Sequence, residues 1–589
     1  MSRSLADTAV SAEERAAVAA VNAAPADAAA RLRLAALLAR RGAFAEAIRQ
    51  MEQAERLGER SAKLYHNLGV AYGRLGDTGR AADRYQQALS ADPFHAGART
   101  NLGQVLVAAG DLPRAEALYR EGVAAAVDDP RAHNNLGLVL MLRDDVAGAD
   151  QHLRAAVALD PGYGHAHYNL ALLHDRRHAP DAAAAAYRRA LECGNAPARA
   201  AYGLAVIEQM RGRADLAIPL YEHALAHDPS DLDPRANLAI ALQEVGRLDE
   251  ALAQADALLA RCPDHPSAVY VRGWVRLLRG DLGGYADYDI RWRRPGPDLR
   301  QHRFPAPLWN GEPLCPGQRL LLWGEFGVGD ELVMAGLLGD VLARGIPVVL
   351  ECDPRFVPLF RRSWPAVTVV PRSDPPDGRT CAPDIAAQSS LMRLPMLFRH
   401  GMDDFPRHGG YLQPDPERVR AHRAAFMALG PGAKIGLAWS SDNPRTGGRK
   451  SIPLEQWAAV LAVPGVHFVS LQYAGADDDI VQARARGVTN LTANPNPRLR
   501  DDLEDLAAQV AALDAVVTIA GINAHMAGAL GRPGLVLVPR TPLWFWFDQG
   551  EESPWYPSLR LIRQAREGNW GEPIARLAAL LEEALPWHG

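Results

Sequence analysis

Small residues return along the first half of the chain with a fixed period. Glycine or alanine stands at Ala35, Gly69, Gly103, Gly137, Ala171, Ala205, Ala239 and Gly273, each 34 residues after the one before. A second series shares the period, with Ala81, Ala115, Ala149, Ala183, Ala217 and Ala251. A third holds the bulkier Tyr85, Tyr119, Leu153, Tyr187 and Tyr221. Concerted series of this kind mark a repeating supersecondary unit. Each unit reads as two antiparallel helices around a turn such as Leu75-Gly76-Asp77 or Ala109-Gly110-Asp111. The small residue lets the helices approach without overlap on the opposing backbone, and the Tyr or Leu fills the wider gap. Proline in Asp92-Pro93, Asp160-Pro161 and Asp228-Pro229 stops one unit and helps begin the next. One hairpin cannot bury both of its faces, so successive hairpins are expected to stack into a solenoid.

After residue 290 the pattern breaks. Residues 291–319 carry six prolines, which interrupt long helices and predict an ordered connector, with Trp292, Phe304 and Trp309 available as anchors. Arginines 291, 293, 294 and 300 in this stretch also fit a solvated face. Beyond it, short apolar runs alternate with helical stretches. Leu320–Trp323 and Pro347–Glu351 read as strands around a glycine-containing turn and a helix over 331–343. Further strands are predicted from Ile435, over His467–Leu471, Ala515–Ile519 and Gly534–Val538, with a helix at Asn523–Leu530. This alternation predicts two α/β halves with a site at the strand ends between them.

Composition adds limits rather than a function. With 48% apolar and 23% charged residues in 589, the chain is ordinary globular protein and long enough for two or three domains. A formal net charge of −5 gives no general attraction to nucleic acid or anionic membranes. Five scattered cysteines suit a reducing compartment, and the first 30 residues lack the apolar core of a signal peptide or membrane span, so a cytoplasmic protein is expected.

The repeat signals, with stretches such as Tyr65-His66-Asn67-Leu68-Gly69 and His133-Asn134-Asn135-Leu136-Gly137, resemble the tetratricopeptide repeat (TPR) family. About eight units would cover 28–295, after an N-terminal extension or cap at 1–27. A concave wall of first helices would display Asn67, Asn101, Asn135, Asn169 and Asn237, whose amides can grip a partner's backbone or satisfy a neighbouring helix. A protein segment is the expected partner.

Candidate chemistry lies in the α/β region. Asp330 stands at the turn before the first helix, where it can accept a proton or cap that helix, with Glu325 and Glu331 nearby. Gly327 and Gly329 allow a close turn whose amides can receive an anion. Arg449 and Lys450 offer charge to a phosphate, or form a plain surface pair. Ser440 and Ser441 can donate to a nucleotide. Gly521, Asn523 and His525 stand where a strand passes into a helix, and Gln472 follows a strand. Trp544 and Trp546 line either the cleft or a core.

Through WGEFGVGD at 323–330, GLAWS at 436–440, RKSIPL at 449–454, AHMAGALGRPGLVLVP at 524–539 and SPWYP at 553–557, the C-terminal region resembles heptosyltransferase-like GT-B glycosyltransferases fused to TPR repeats. The resemblance implies a TPR solenoid, a connector at 296–318, and an α/β GT-B region with two Rossmann-like halves at 319–432 and 433–589. It further implies metal-independent sugar transfer with Asp330 as base and Lys450 beside the phosphate. The donor would be a nucleotide-sugar such as a CMP-activated nonulosonic acid, and flagellin Ser/Thr the acceptor, as in bacterial flagellin O-glycosyltransferases. Such enzymes carry an acidic-threonine pair where this chain has Ala520-Gly521. Two other readings are a TPR adaptor with a catalytically degenerate glycosyltransferase domain and a lipopolysaccharide-directed enzyme.

Overall fold

A computed structural model describes residues 11–195, 198–293, 304–443, 446–473, 476–496 and 498–584. It divides into two compact units, one of Met1–Arg211 with Pro219–Pro229, the other of Gly212–Ile218 with Ser230–Gly589.

The first unit is helical hairpins. Ala28–Arg40 pairs with Phe44–Arg56, Ala62–Arg74 with Thr78–Ala91, Ala96–Ala108 with Leu112–Ala125, Pro130–Leu142 with Val146–Leu159, and Gly164–Arg176 with Pro180–Glu192. Aspartate begins many of these helices: Asp77 and Asp111 accept the amides of Arg80 and Arg114, satisfying donors that the helix itself leaves open. The intervening turns need a left-handed residue. Gly42, Gly76, Gly110, Gly212, Gly246 and Gly280 all have positive φ, and the same register places Asp144 at φ 65° and His178 at φ 52°.

The small positions work differently from the sequence expectation. A Cβ on Gly69 would lie 2.5 Å from the Tyr85 ring, on Gly103 2.2 Å from Tyr119, and on Gly137 2.7 Å from Leu153. At these three positions the missing side chain makes room mainly for the bulky residue of the second helix in its own hairpin, whereas at Gly273 a Cβ would stand 2.7 Å from the opposing backbone nitrogen of Tyr288, as expected from the sequence.

The recurrent asparagines tie first helices together. Asn169 Nδ2 donates to Asn134 Oδ1 at 2.8 Å, Asn134 Nδ2 to Asn135 Oδ1 at 3.3 Å, and Asn135 Nδ2 to Thr100 Oγ1 at 3.4 Å. Asn101 Nδ2 lies 3.2 Å from His66 Nε2. Asn169 is buried in this relay, whereas Asn101 and Asn135 are partly open and Asn67 is exposed.

The second unit begins with the repeat helices Leu232–Glu244, Leu248–Leu259 and Pro266–Leu278 and continues into two sheets. Strands β1 (Arg319–Trp323), β2 (Val348–Cys352), β3 (Thr368–Pro371) and β4 (Ile385–Ser390) form a parallel sheet in the order β3-β2-β1-β4. Strands β5 (Ala433–Ala438), β6 (Val466–Ser470), β7 (Leu491–Thr492), β8 (Ala515–Ile519), β9 (Gly534–Val538), β10 (Glu552–Ser553) and β11 (Tyr556–Arg563) form the second. Its order is β10-β11-β9-β8-β5-β6-β7, parallel except for β10 against β11. Strands β5, β8 and β9, at the middle of this sheet, are buried at every position, as the centre of a parallel sheet covered on both faces requires. The helix expected over 331–343 is two helices, Val328–Ala335 and Leu338–Ala343.

The arginines at the connector part company. Arg291 is 2% exposed and forms a bidentate pair with Glu325, at 2.5 and 2.7 Å, so it belongs to no solvated face. Arg293 is exposed, and residues 294 and 300 lie outside the described residues. Trp292 and Phe304 pack on Trp323, and Trp309 is fully buried with its indole donating to the Glu312 carbonyl.

Candidate functional site

The helices Val328–Ala335 and Ile522–Ala529 pack on each other within the second unit, and this contact brings together residues almost 200 positions apart. A Cβ on Gly329 would stand 3.1 Å from the His525 ring, so glycine there admits the imidazole. His525 is 4% exposed, with Nδ1 3.1 Å from the Tyr556 hydroxyl and the Trp546 ring centred 4.9 Å away. Burial, reinforced by the Lys450 charge, lowers its pKa to about 3 and keeps the ring neutral. Lys450 closes the short helix Gly447–Lys450. Burial lowers its pKa while Asp330 and Asp442 oppose that shift. Asp330, Lys450, His525 and Tyr556 thus form one electrostatic cluster beside the turn that follows β1.

Asp330 keeps part of its surface open yet is surrounded by protein mass, which raises its pKa to about 6 despite help from the Gly327 amide and Lys450. Its Oδ2 accepts that amide at 3.2 Å and so caps its own helix. Gly327 is exposed at this turn. The neighbouring carboxylates are committed elsewhere. Glu325 is locked to Arg291, and Glu331 pairs with Arg372 while accepting the Asp353 amide at 2.8 Å. Burial raises the Glu331 pKa to about 7.

Other candidates are spent on architecture. Gln472 Oε1 accepts the amides of Trp439 and Ser440 at 3.2 and 3.1 Å, and its Nε2 donates to the Ser440 carbonyl, so the side chain braces the loop after β5. The Ser441 amide donates to Ser451 Oγ at 2.9 Å. Arg449 leaves its neighbour Lys450 and donates to the carbonyl of Glu244 in a repeat helix. Gly521 is extended ahead of the helix. Asn523 donates to the Leu471 carbonyl at 3.4 Å, while its buried Oδ1 finds no partner. Trp544 and Trp546 are each 2% exposed, and Trp544 sits edge-on to Tyr285 and Tyr288, as a core side chain does.

Sequence reasoning gave no functional role to Asp442, Arg372 or Tyr556. Only Tyr556 carried a signal, since it lies in the SPWYP stretch. Among the described residues no group of three or more His, Cys, Asp or Glu side chains is placed to hold a metal, and no helix is long and apolar enough to cross a membrane.

The hairpins, their 34-residue register and their left-handed turns define an N-terminal tetratricopeptide repeat solenoid. Two tetratricopeptide repeat family models match it, one at residues 74–137 and 209–273, the other at 135–197 and 168–231. Protein FlbA of Caulobacter vibrioides is 33% identical over 332 residues, 53% of this chain and 54% of FlbA, so the chain spans about half the length of that curated relative. Among solved structures it is similar to PilF of Pseudomonas aeruginosa, with 20% identity, 35% of this chain and 95% of that one, and a TM-score of 0.31. It is also similar to TTC0263, a TPR protein of Thermus thermophilus, with 24% identity, 31% and 98% coverage, and a TM-score of 0.28.

These findings correct the enzymatic expectation. What matches is the repeat array, so the assignments as a GT-B glycosyltransferase, a flagellin-modifying enzyme or a lipopolysaccharide-directed one do not stand. Glu325 and Glu331 are held in ion pairs, while Asp330 caps its own helix through Oδ2 and keeps part of its surface open.

Proposed function

We propose that the chain is a protein-binding scaffold, in which the repeats hold a segment of a partner protein and the α/β sheets carry a ligand-responsive site. The observation that carries this is the repeat register itself, which builds hairpin after hairpin with an open row of polar side chains on the first helices. Asn67 is exposed on that row and Asn101 and Asn135 are partly open beside their links to His66 and Thr100, and an amide can exchange such a link for a partner's backbone donor or acceptor. Flagellin is one candidate partner for direct trial.

The Lys450 cluster supports the second half of the proposal. A partly shielded ammonium, the Ser440 and Ser441 loop, and the amides ahead of Ile522–Ala529 suit a phosphate-bearing ligand such as a nucleotide-sugar. Such a ligand would tune partner binding without being consumed.

The test is affinity capture with the full chain from cells that express its partners. The wild type, a variant with Asn67, Asn101 and Asn135 all changed to alanine, and Lys450→Ala are compared by quantitative mass spectrometry. The proposal expects proteins retained by the wild type, retained in shifted amount by Lys450→Ala, which removes the tuning contact, and depleted at least ~10-fold with the triple variant, whose folding is checked by urea titration. Equal retention on all three chains removes the repeat row as the binding surface.

A further inference from the structure

The second sheet carries a cavity far along its strands from the Lys450 cluster. Ser440, Ser441 and Gln472 follow the C-terminal ends of β5 and β6, whereas this cavity opens at Val466 and His467, where β6 begins. Its volume is about 680 Å³, within the range that takes a small molecule. The helix Ala458–Leu461 and the helix Ala476–Ala485 flank it, and Leu454, Leu461, Val463, Val466, Ala483 and Val488 give it apolar walls.

Its polar groups are biased toward acceptors. Asp479 accepts the Trp439 indole N–H on Oδ2 at 2.7 Å, which leaves Oδ1 without a hydrogen bond from a described residue. Asn490 spends its amide on the carbonyls of Leu461 and Val466, both at 3.1 Å, and so presents Oδ1. His467 Nε2 lies 2.9 Å from the Pro431 carbonyl, which can only accept, so that nitrogen carries a proton and donates it there. The single cation, Arg486, is already paired with Glu455 at 3.1 Å. Two carboxylates against one guanidinium leave the lining one negative charge in excess.

We propose that this cavity binds a small apolar amine, its hydrocarbon body against the aliphatic wall and its ammonium between Asp479 and Asn490. A carboxylate-bearing molecule of the same shape would meet acceptors and a spent arginine, so charge sets the selectivity. The inference is independent of what the repeats or the Lys450 cluster bind.

The experiment titrates the full chain with tryptamine, indole and indole-3-acetate, three probes that share a ring and differ in the charge of their end group. Saturation-transfer NMR and calorimetry follow binding. Tryptamine should bind saturably and at least ~10-fold more tightly than indole-3-acetate, with indole between them. Ala458→Trp, at an exposed position on the cavity wall, should abolish binding of all three without disturbing the core. Asp479→Asn, which keeps an acceptor for the Trp439 indole, should weaken tryptamine ~3- to 10-fold and leave indole unchanged. Absence of saturable tryptamine binding, equal affinity for tryptamine and indole-3-acetate, or binding that survives Ala458→Trp overturns the proposal.

Discussion

Gly103→Ala is the substitution that separates this account of the repeats from a generic helical one. In an exposed helix the change would stabilise by about 1 kcal/mol, since alanine is the better helix former. Here the new methyl would stand 2.2 Å from Tyr119 Cζ and 2.3 Å from its hydroxyl oxygen. Cβ contacts do not fall below 3.0 Å, so the ring must retreat by at least about 0.8 Å. Tyr119 is 4% exposed and its hydroxyl donates to the Thr100 carbonyl at 3.2 Å, so a displaced ring strains its surroundings and loses that bond. Overpacking costs about 1–3 kcal/mol and the hydrogen bond about 1 kcal/mol. Set against the helix gain, the net is a destabilisation of about 1–3 kcal/mol. Urea unfolding followed by far-UV circular dichroism reads it, with the first unit's transition fitted separately because the chain has two units. In a Tyr119→Ala background the same change should turn stabilising by about 1 kcal/mol, because the obstacle is gone. A Gly103→Ala single variant that is more stable than wild type would refute the ring-in-gap explanation for the small positions.

Three further expectations follow from named contacts. Arg291→Ala leaves the Glu325 carboxylate buried without its partner and should cost the second unit about 3–5 kcal/mol in urea, most of it recovered by adding Glu325→Gln. Asp330 and Glu331 have folded pKa values raised to about 6 and about 7, above unfolded carboxyls near 4. Between those limits the folded chain holds more protons than the unfolded one, so these groups add stability as pH falls from about 7 to 4. Asp330→Asn, which keeps an acceptor for the Gly327 amide, should flatten its share of that slope in stability measured against pH, and an unchanged slope would contradict the raised value. His178 sits at φ 52°, where a side chain is unfavourable, so His178→Gly should stabilise the first unit by about 1 kcal/mol in the same urea assay.

The repeats were legible because their physics is local and periodic. A hairpin needs a gap for one bulky residue, and the need returns every 34 residues at Gly69, Gly103 and Gly137. The left-handed turn position was equally periodic at Gly42, Gly76 and Gly110, but Asp144 and His178 interrupt the glycine series and hide it. Strands β8 and β9 could be placed because buried parallel strands read as unbroken apolar runs. The site was harder, since its contacts join distant segments. Nothing near Glu325 announces Arg291 as its partner, and nothing near Glu331 announces Arg372. Arg449 and Lys450 look alike as a basic pair, yet adjacent side chains on a short helix diverge, one to the Glu244 carbonyl and the other toward Asp330. Short motifs suggested a family whose activity the comparisons did not support, because a glycine turn followed by a capping aspartate serves structure as readily as chemistry.

The central claim is that the asparagine row on the first helices of the repeats holds a partner protein. Its most direct test is a calorimetric titration of a captured partner, or its shortest binding segment, into the wild type and into the folded variant with Asn67, Asn101 and Asn135 changed to alanine. The account predicts a one-site isotherm for the wild type and an affinity at least ~10-fold weaker for the variant, equivalent to about 1.4 kcal/mol. Identical affinities for the two chains would contradict it.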